Sequence, residues 1–171
     1  MRGLSFIGSA TRLWAKYGFF CNSDTLYPNL ATSPSCVGQS VNGQPVAVGS
    51  QNLQGNQLTQ APKWQYSVSG QYGFRLTSQL GITARADYKW QSRVYFDIYN
   101  HPLNSQDAYG LLNASLTVAP TNGPWSVMGW VRNALDKRYV SQANVSPGVN
   151  PSLVGSIGTP RMYGVTVSAH F

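Results

Sequence analysis

Few residues in this chain have the type and spacing to do chemistry. Cys21 and Cys36 share one long polar stretch. Oxidised, they would close a loop of about 15 residues; reduced, they would be two thiols. Without a nearby histidine they do not make a zinc set. His101 and His170 are far apart, and neither has the partner pattern of a catalytic triad. His101 lies between Asp97 and Asp107, where a solvated loop residue is favoured over a ligand. The densest charge is the row Arg85, Asp87, Lys89 and Arg93, all on one parity. Such a row either guides a charged substrate or forms an ion-pair ladder with neighbouring strands, and the ladder is favoured. The glycines form no phosphate-binding fingerprint. With no acid/base pair and no supported nucleophile, an enzyme is the least supported class, and no cofactor or metal is expected.

The elements that carry these residues show period-two alternation. Over 64–75, Trp64, Tyr66, Val68, Tyr72 and Phe74 alternate with Gln65, Ser67, Ser69, Gln71 and Arg75. Segment 80–96 repeats the pattern, setting Leu80, Ile82, Tyr88, Trp90, Val94 and Phe96 against the charged row. Segments 110–118, 125–133 and 161–171 alternate too, and 3–15 reads as a weaker first strand. The expected fold is an all-β, antiparallel up-and-down meander of about six long strands. Short turns fall at about 76–79 and 120–124, and longer loops at 18–62, 99–108 and 136–158.

Composition agrees. The 171 residues suit one domain, of which 10% are charged and 12% aromatic. A coiled coil or an ordinary helical domain needs far more Glu, Lys, Ala and Leu, and disorder needs fewer aromatic and β-branched residues. The net charge of +7 comes from scattered basic residues rather than a patch, so nucleic acid is not an expected partner. Residues 1–8 lack the continuous apolar core of a signal peptide.

Long loops alternating with short turns are the pattern of transmembrane β-barrels, and each strand is long enough to span. A lumen-facing role is expected for Arg85, Asp87, Lys89 and Arg93, because that face cannot meet hydrocarbon, where a Lys or Arg costs about 2–4 kcal/mol at the midplane. That face must be wet. Trp64, Phe74, Tyr88, Trp90, Trp125 and Tyr163 on the other face suit interfacial girdles. A soluble β-sandwich or lipocalin-like barrel alternates equally well. Loop lengths and the C-terminal strand favour the membrane.

That strand, Thr159-Pro-Arg-Met-Tyr-Gly-Val-Thr-Val-Ser-Ala-His-Phe171, resembles the terminal signature read by the barrel-assembly machinery of bacterial outer membranes, carried by Tyr163, Val165, Val167, Ala169 and Phe171. Its Pro-Arg-x-Tyr-Gly resembles the last strand of TonB-dependent receptors. Val131-Arg-Asn-Ala-Leu-Asp-Lys-Arg-Tyr-Val140 resembles that family's Asn-Leu-Phe-Asp-Lys-x-Tyr motif, with Asn133, Asp136, Lys137 and Tyr139 at the matching positions. Leu58-Thr-Gln-Ala-Pro-Lys-Trp64 and Tyr95-Phe-Asp-Ile-Tyr-Asn100 are similar to loop–strand junctions of the same family, in the same order. Ala134 and Ala169 depart from it, standing where Leu and an aromatic residue are usual.

The resemblance implies an outer-membrane receptor for a scarce ligand such as a ferric siderophore, with residues 1–171 forming the C-terminal segment of its barrel. It also implies a plug domain, about twenty-two strands and TonB acting through the plug. With no plug or signal peptide recognised and only about six strands, the chain is expected to be a fragment, partnered by outer-membrane lipid, the assembly machinery and the rest of the receptor. The loops would then face an oxidising exterior, where a Cys21–Cys36 disulfide is expected. The competing readings are a small self-standing outer-membrane adhesin or pore and a soluble β-sandwich binding module.

Overall fold

The computed structural model describes residues 3–24, 27, 30–146 and 152–170. Its main body is one six-stranded antiparallel sheet. The strands are β1 (Gly3–Arg12), β6 (Trp64–Arg75), β7 (Leu80–Gln91), β10 (Tyr109–Pro120), β11 (Trp125–Arg132) and β14 (Met162–Ala169), paired in that order. Each strand pairs with the neighbours that precede and follow it among these six, as the alternation predicts. Smaller hairpins fill the connections. They are β2 (Cys21–Ser23) with β5 (Ser50–Asn52), β3 (Ser40–Val41) with β4 (Gln44–Pro45), β8 (Val94–Tyr95) with β9 (Ser105–Gln106), and β12 (Val140–Ser146) with β13 (Ser152–Ile157). Single 3₁₀ turns occur at Pro34–Cys36 and Pro102–Asn104. Among the described residues there is no α-helix.

The register keeps each parity on one face across all six strands. Phe6 lies opposite Gly70, Gly70 opposite Ala86, and Ala86 opposite Ala114, then Ala114 opposite Val131 and Val131 opposite Tyr163. The other parity runs from Ser5 through Gln71, Arg85 and Ser115 to Trp130 and Gly164. The apolar face stays open: Phe6 is 69% exposed and Val167 71%. An apolar surface of this extent needs an apolar medium against it.

The sequence placed the two tight connections well. Thr77 Oγ1 accepts from the Gln79 and Leu80 amides and closes the β6–β7 turn. The Thr121 amide donates to Gln79 O at 2.7 Å, joining that turn to the β10–β11 turn. The loops are longer than expected, because the strands stop sooner: β1 ends at Arg12, β7 at Gln91 and β11 at Arg132. The hairpin β12–β13 carries no long alternation and was not anticipated in the 136–158 loop.

Several rings lie flat on the sheet above a glycine. A Cβ built at Gly70 would sit 2.9 Å from the Phe6 ring, one at Gly110 2.1 Å from Tyr88 Oη, and one at Gly164 2.6 Å from Trp130. These cross-strand pairs fill the space that a glycine leaves in a strand.

Candidate functional site

Two features hold the residues singled out by chemistry: the polar face of the sheet, and a compact body built from the loops at one end of it. On the polar face Asp87 lies between Ser69 and Asn113, and Lys89 between Ser67 and Leu111. Arg85 donates twice to Asp87, from Nε to Oδ2 at 2.9 Å and from Nη2 to Oδ1 at 2.7 Å. Ser69 Oγ adds a third bond to Oδ1 at 2.5 Å. The Asp87 carboxylate is therefore consumed by Arg85 of its own strand and Ser69 of the next, not by the ion-pair ladder between neighbouring strands that the sequence favoured. Lys89 makes no ion pair among the described residues and borders a hollow of ≈ 400 Å³ with Thr11, Gln65, Ser67, Gln91 and Tyr109.

Arg93 does not belong to that row. The strand ends at Gln91, where the Ser92 amide caps Trp64 O, and the chain turns into the β8–β9 hairpin. Arg93 instead pairs with Asp107 across the base of the 92–108 loop, with Nε donating at 2.8 Å. Donation to that carboxylate holds the Arg93 guanidinium above its ordinary pKa. Val94 and Phe96 continue the parity of β7 in sequence only; Val94 is buried in the loop body.

The loop body begins with the disulfide. Cys21 and Cys36 are bonded, with Cα atoms 5.9 Å apart, and both are buried. Beside them His101 joins two loops. Its Nε2 lies 2.9 Å from Asp24 Oδ2 in the 13–63 loop, and its Nδ1 lies 3.2 Å from Asp97 Oδ2 in the 92–108 loop. The Tyr27 and Tyr99 rings pack against the imidazole at 4.8 and 5.5 Å. This is a correction: His101 is only 16% exposed and is a clamp, not a solvated loop residue.

Local chain geometry places these groups. Asp97 Oδ1 accepts from the Tyr99 and His101 amides, an Asx-type turn that presents the imidazole to the same carboxyl group. Asn100 takes φ 59°, a conformation Asn tolerates, and exchanges two bonds with the Gln57 backbone at 2.7 and 2.9 Å. The Tyr99 hydroxyl donates to Ser23 O at 2.5 Å. Burial, with Asp24 and Asp97 nearby, pushes the Tyr99 phenol up to about 12.

A second hub closes the 133–161 loop. Asn133, at φ 48° and buried, accepts from the Lys137 amide at 2.9 Å and donates from Nδ2 to Lys137 O and Thr159 O. Asp136, also left-handed at φ 51°, accepts from the Arg161 amide. Tyr139 stacks on Tyr109 at 4.5 Å and covers Gly158. Gln106 Oε1 accepts from the Val140 amide at 2.7 Å and links this loop to its neighbour. Among the described residues no group of His, Cys and Asp is arranged to hold a metal ion.

Comparison with known proteins agrees with this architecture. Residues 3–134 match the family model described as TonB dependent receptor-like, beta-barrel. The chain belongs to the TonB-dependent receptor β-barrel family. The ferric yersiniabactin uptake receptor FyuA from Yersinia pestis superposes with a TM-score of 0.62 at 22% identity, over 71% of this chain. The chain spans 19% of the length of that receptor. No curated protein matches.

As a TonB-dependent receptor barrel segment, the chain lies in the outer membrane of a Gram-negative bacterium, and its family is one of receptors and transporters. Among the motif residues, Asn133 binds the Lys137 backbone, Asp136 the Arg161 amide, and Tyr139 stacks on Tyr109, so together they hold the base of the 133–161 loop. Tyr163, Val165, Val167 and Ala169 share the apolar face of β14; Phe171 lies outside the described residues. Sequence reasoning had Tyr99 and Asn100 only as letters of the Tyr95–Asn100 resemblance, without a role, and missed Gln57. The spacing Asp97-x-Tyr99-Asn100-His101, with a turn-forming Asp and a left-handed Asn, was the signal available for them.

Proposed function

We propose that the chain forms the C-terminal part of a receptor barrel that takes up a scarce, bulky ligand of the ferric-siderophore class. The observation that carries this reading is the sheet's two-sidedness, with every long loop gathered at one end. The turns at 76–79 and 121–124 then face the periplasm and the loops face outward. The apolar face meets lipid, and the polar face with Arg85, Asp87 and Lys89 lines the lumen, toward a plug contributed by the rest of the receptor. FyuA is, by its full name, an uptake receptor for ferric yersiniabactin, and an iron-bearing ligand for that receptor supports this ligand class.

On this reading further strands satisfy the open edges of β1 and β14, because lipid cannot. TonB acts through the plug. The assembly machinery reads Tyr163, Val165, Val167, Ala169 and Phe171. The loop body collects ligand, and Lys89 offers the lumen an ammonium group that makes no ion pair among the described residues.

The test is radioiron uptake by iron-starved cells carrying the whole receptor, supplied with catecholate, hydroxamate or phenolate siderophores. Uptake that needs both the receptor and the proton gradient is the expected result for one of these classes. Indifference to the receptor for every class would sink the siderophore reading.

A further inference from the structure

One cluster on the lipid side of the sheet has no part in that reading. Arg12 is the last residue of β1 and lies opposite Trp64, the first of β6. It has the parity of Leu4, Phe6 and Ala10, so a cation stands at the loop end of the apolar face. Its guanidinium lies 5.1 Å from the Trp14 ring centroid and 5.2 Å from that of Trp64. Lys16 Nζ lies 5.9 Å from the Trp14 ring. Lys63 completes a small pocket of ≈ 120 Å³ shared by all five side chains.

We infer that this rim, Arg12, Lys16 and Lys63 around Trp14 and Trp64, binds the phosphorylated headgroup of a lipid in the outer leaflet. The inference rests on the outer-membrane orientation proposed above.

Three observations carry it. First, the backbone is pinned: the Leu13 amide donates to Lys63 O at 2.9 Å, and Lys16 bridges to Gln57. The cations therefore stand in a fixed relation rather than on a loose loop. Second, their charge is uncompensated. Asp87, Asp107 and Asp136 pair with Arg85, Arg93 and Arg161, and Asp24 and Asp97 with His101. Among the described residues no carboxylate lies within ion-pair distance of Arg12, Lys16 or Lys63. Third, the depth is that of headgroups. Trp64, Tyr66 and Trp90 form a continuous ring stack at the same end of the apolar face, at 6.0 and 5.2 Å. Such belts mark the boundary between hydrocarbon and polar headgroups.

The ligand chemistry follows from the donors. A guanidinium steadied on indole faces keeps its planar N–H fork for a bidentate oxyanion, and two ammonium groups add charge on either side. Phosphate on a lipid headgroup is the anion present at that depth on that face. A solute in the lumen is separated from it by the sheet.

The test uses the whole receptor that contains this chain, in dodecyl maltoside micelles, observed by native mass spectrometry with bisphosphorylated lipid A as probe. The wild-type receptor is expected to retain this lipid in preference to its dephosphorylated form. Arg12→Gln/Lys16→Gln/Lys63→Gln should retain at least about tenfold less. Arg75→Gln/Lys137→Gln/Arg138→Gln, with the same loss of charge elsewhere, should retain it as the wild type does. Arg12→Lys, which keeps the charge and loses the fork, should fall between. An unchanged heat-modifiable gel shift verifies that the variants fold.

Equal retention by the two triple variants, or equal retention of the dephosphorylated lipid, would overturn the inference. Displacement of the lipid by millimolar inorganic phosphate would also overturn it, showing a site for a soluble anion. A receptor that takes up no detergent sinks the membrane orientation itself, whereas detergent uptake without phosphate preference sinks only the rim site.

Discussion

In the six-stranded sheet no described residue is fully buried, whereas the loop body above it buries Leu53, Val94, Cys36, Asn104, Gln57 and Asn133. The sheet is a wall between two media. Its stability comes from ladder hydrogen bonds and from matching each face to its solvent, so period-two patterning is enough to specify it. The loop body meets water and must hold its own shape. It does so as a small soluble domain does, with a disulfide, buried polar hubs and rings packed on an imidazole. The difference teaches that one chain can follow two rules of folding, separated by a line of residues near Arg12, Trp64, Gln91, Tyr109, Arg132 and Met162.

The sharpest way to break this contrast is to exchange the faces of the wall. Val68→Arg, near the middle of β6 on the apolar face, should cost as much as ~4 kcal/mol in a bilayer. Gln71→Arg, three residues on and facing the other way, should cost under ~0.5 kcal/mol. Denaturant unfolding in lipid vesicles measures both, and similar losses would mean that the faces are wrongly assigned.

Removing the disulfide comes next. Cys21→Ser with Cys36→Ser should weaken the loop body by about 3 kcal/mol, the cost of reopening a loop of this size. Protease cleavage within residues 13–63 should rise while hydrogen exchange in β6 and β7 stays slow. A cooperative loss of both would join the two regions into one unit.

Asn133→Ala should cost about 2 kcal/mol, since it removes three side-chain bonds and leaves a left-handed residue without its local partners. The loss should appear as faster exchange of the Lys137 amide.

The smallest effect concerns pH. The Tyr99 phenol is raised from the ordinary 10 to about 12, so its contribution to the loop body is complete below pH 10. It is lost as pH climbs through 12, because the unfolded loop releases that proton first. Absorbance titration should show a phenol ionising near pH 12 that Tyr99→Phe removes; an unchanged curve would place Tyr99 in water.

Legibility in the sequence followed the same line. Strand β6 lies at 64–75 as read, because each of its residues chooses between two media and the choice is visible in its type. The end of β7 was misread at Val94 and Phe96, since a buried loop residue and a lipid-facing strand residue have the same chemistry. The Cys21–Cys36 pair was legible from compartment. His101 was not, because its partners Asp24 and Tyr27 lie more than seventy residues upstream and no periodicity links them. Asn133 was visible as a motif letter, but its role at the loop base depends on Thr159, which only the closed loop brings near.

The rings resting on Gly70 and Gly110 have a consequence for the wall itself. A protein with a core orients its aromatic side chains by crowding them from every side. Fluid lipid does not crowd, so these rings take their bearings from the absence of a single carbon beneath them. Each glycine acts as a socket cut into the backbone. Alanine at Gly110 would leave the ladder intact while evicting Tyr88 from its seat, so the bearing of that ring is encoded where no side chain exists.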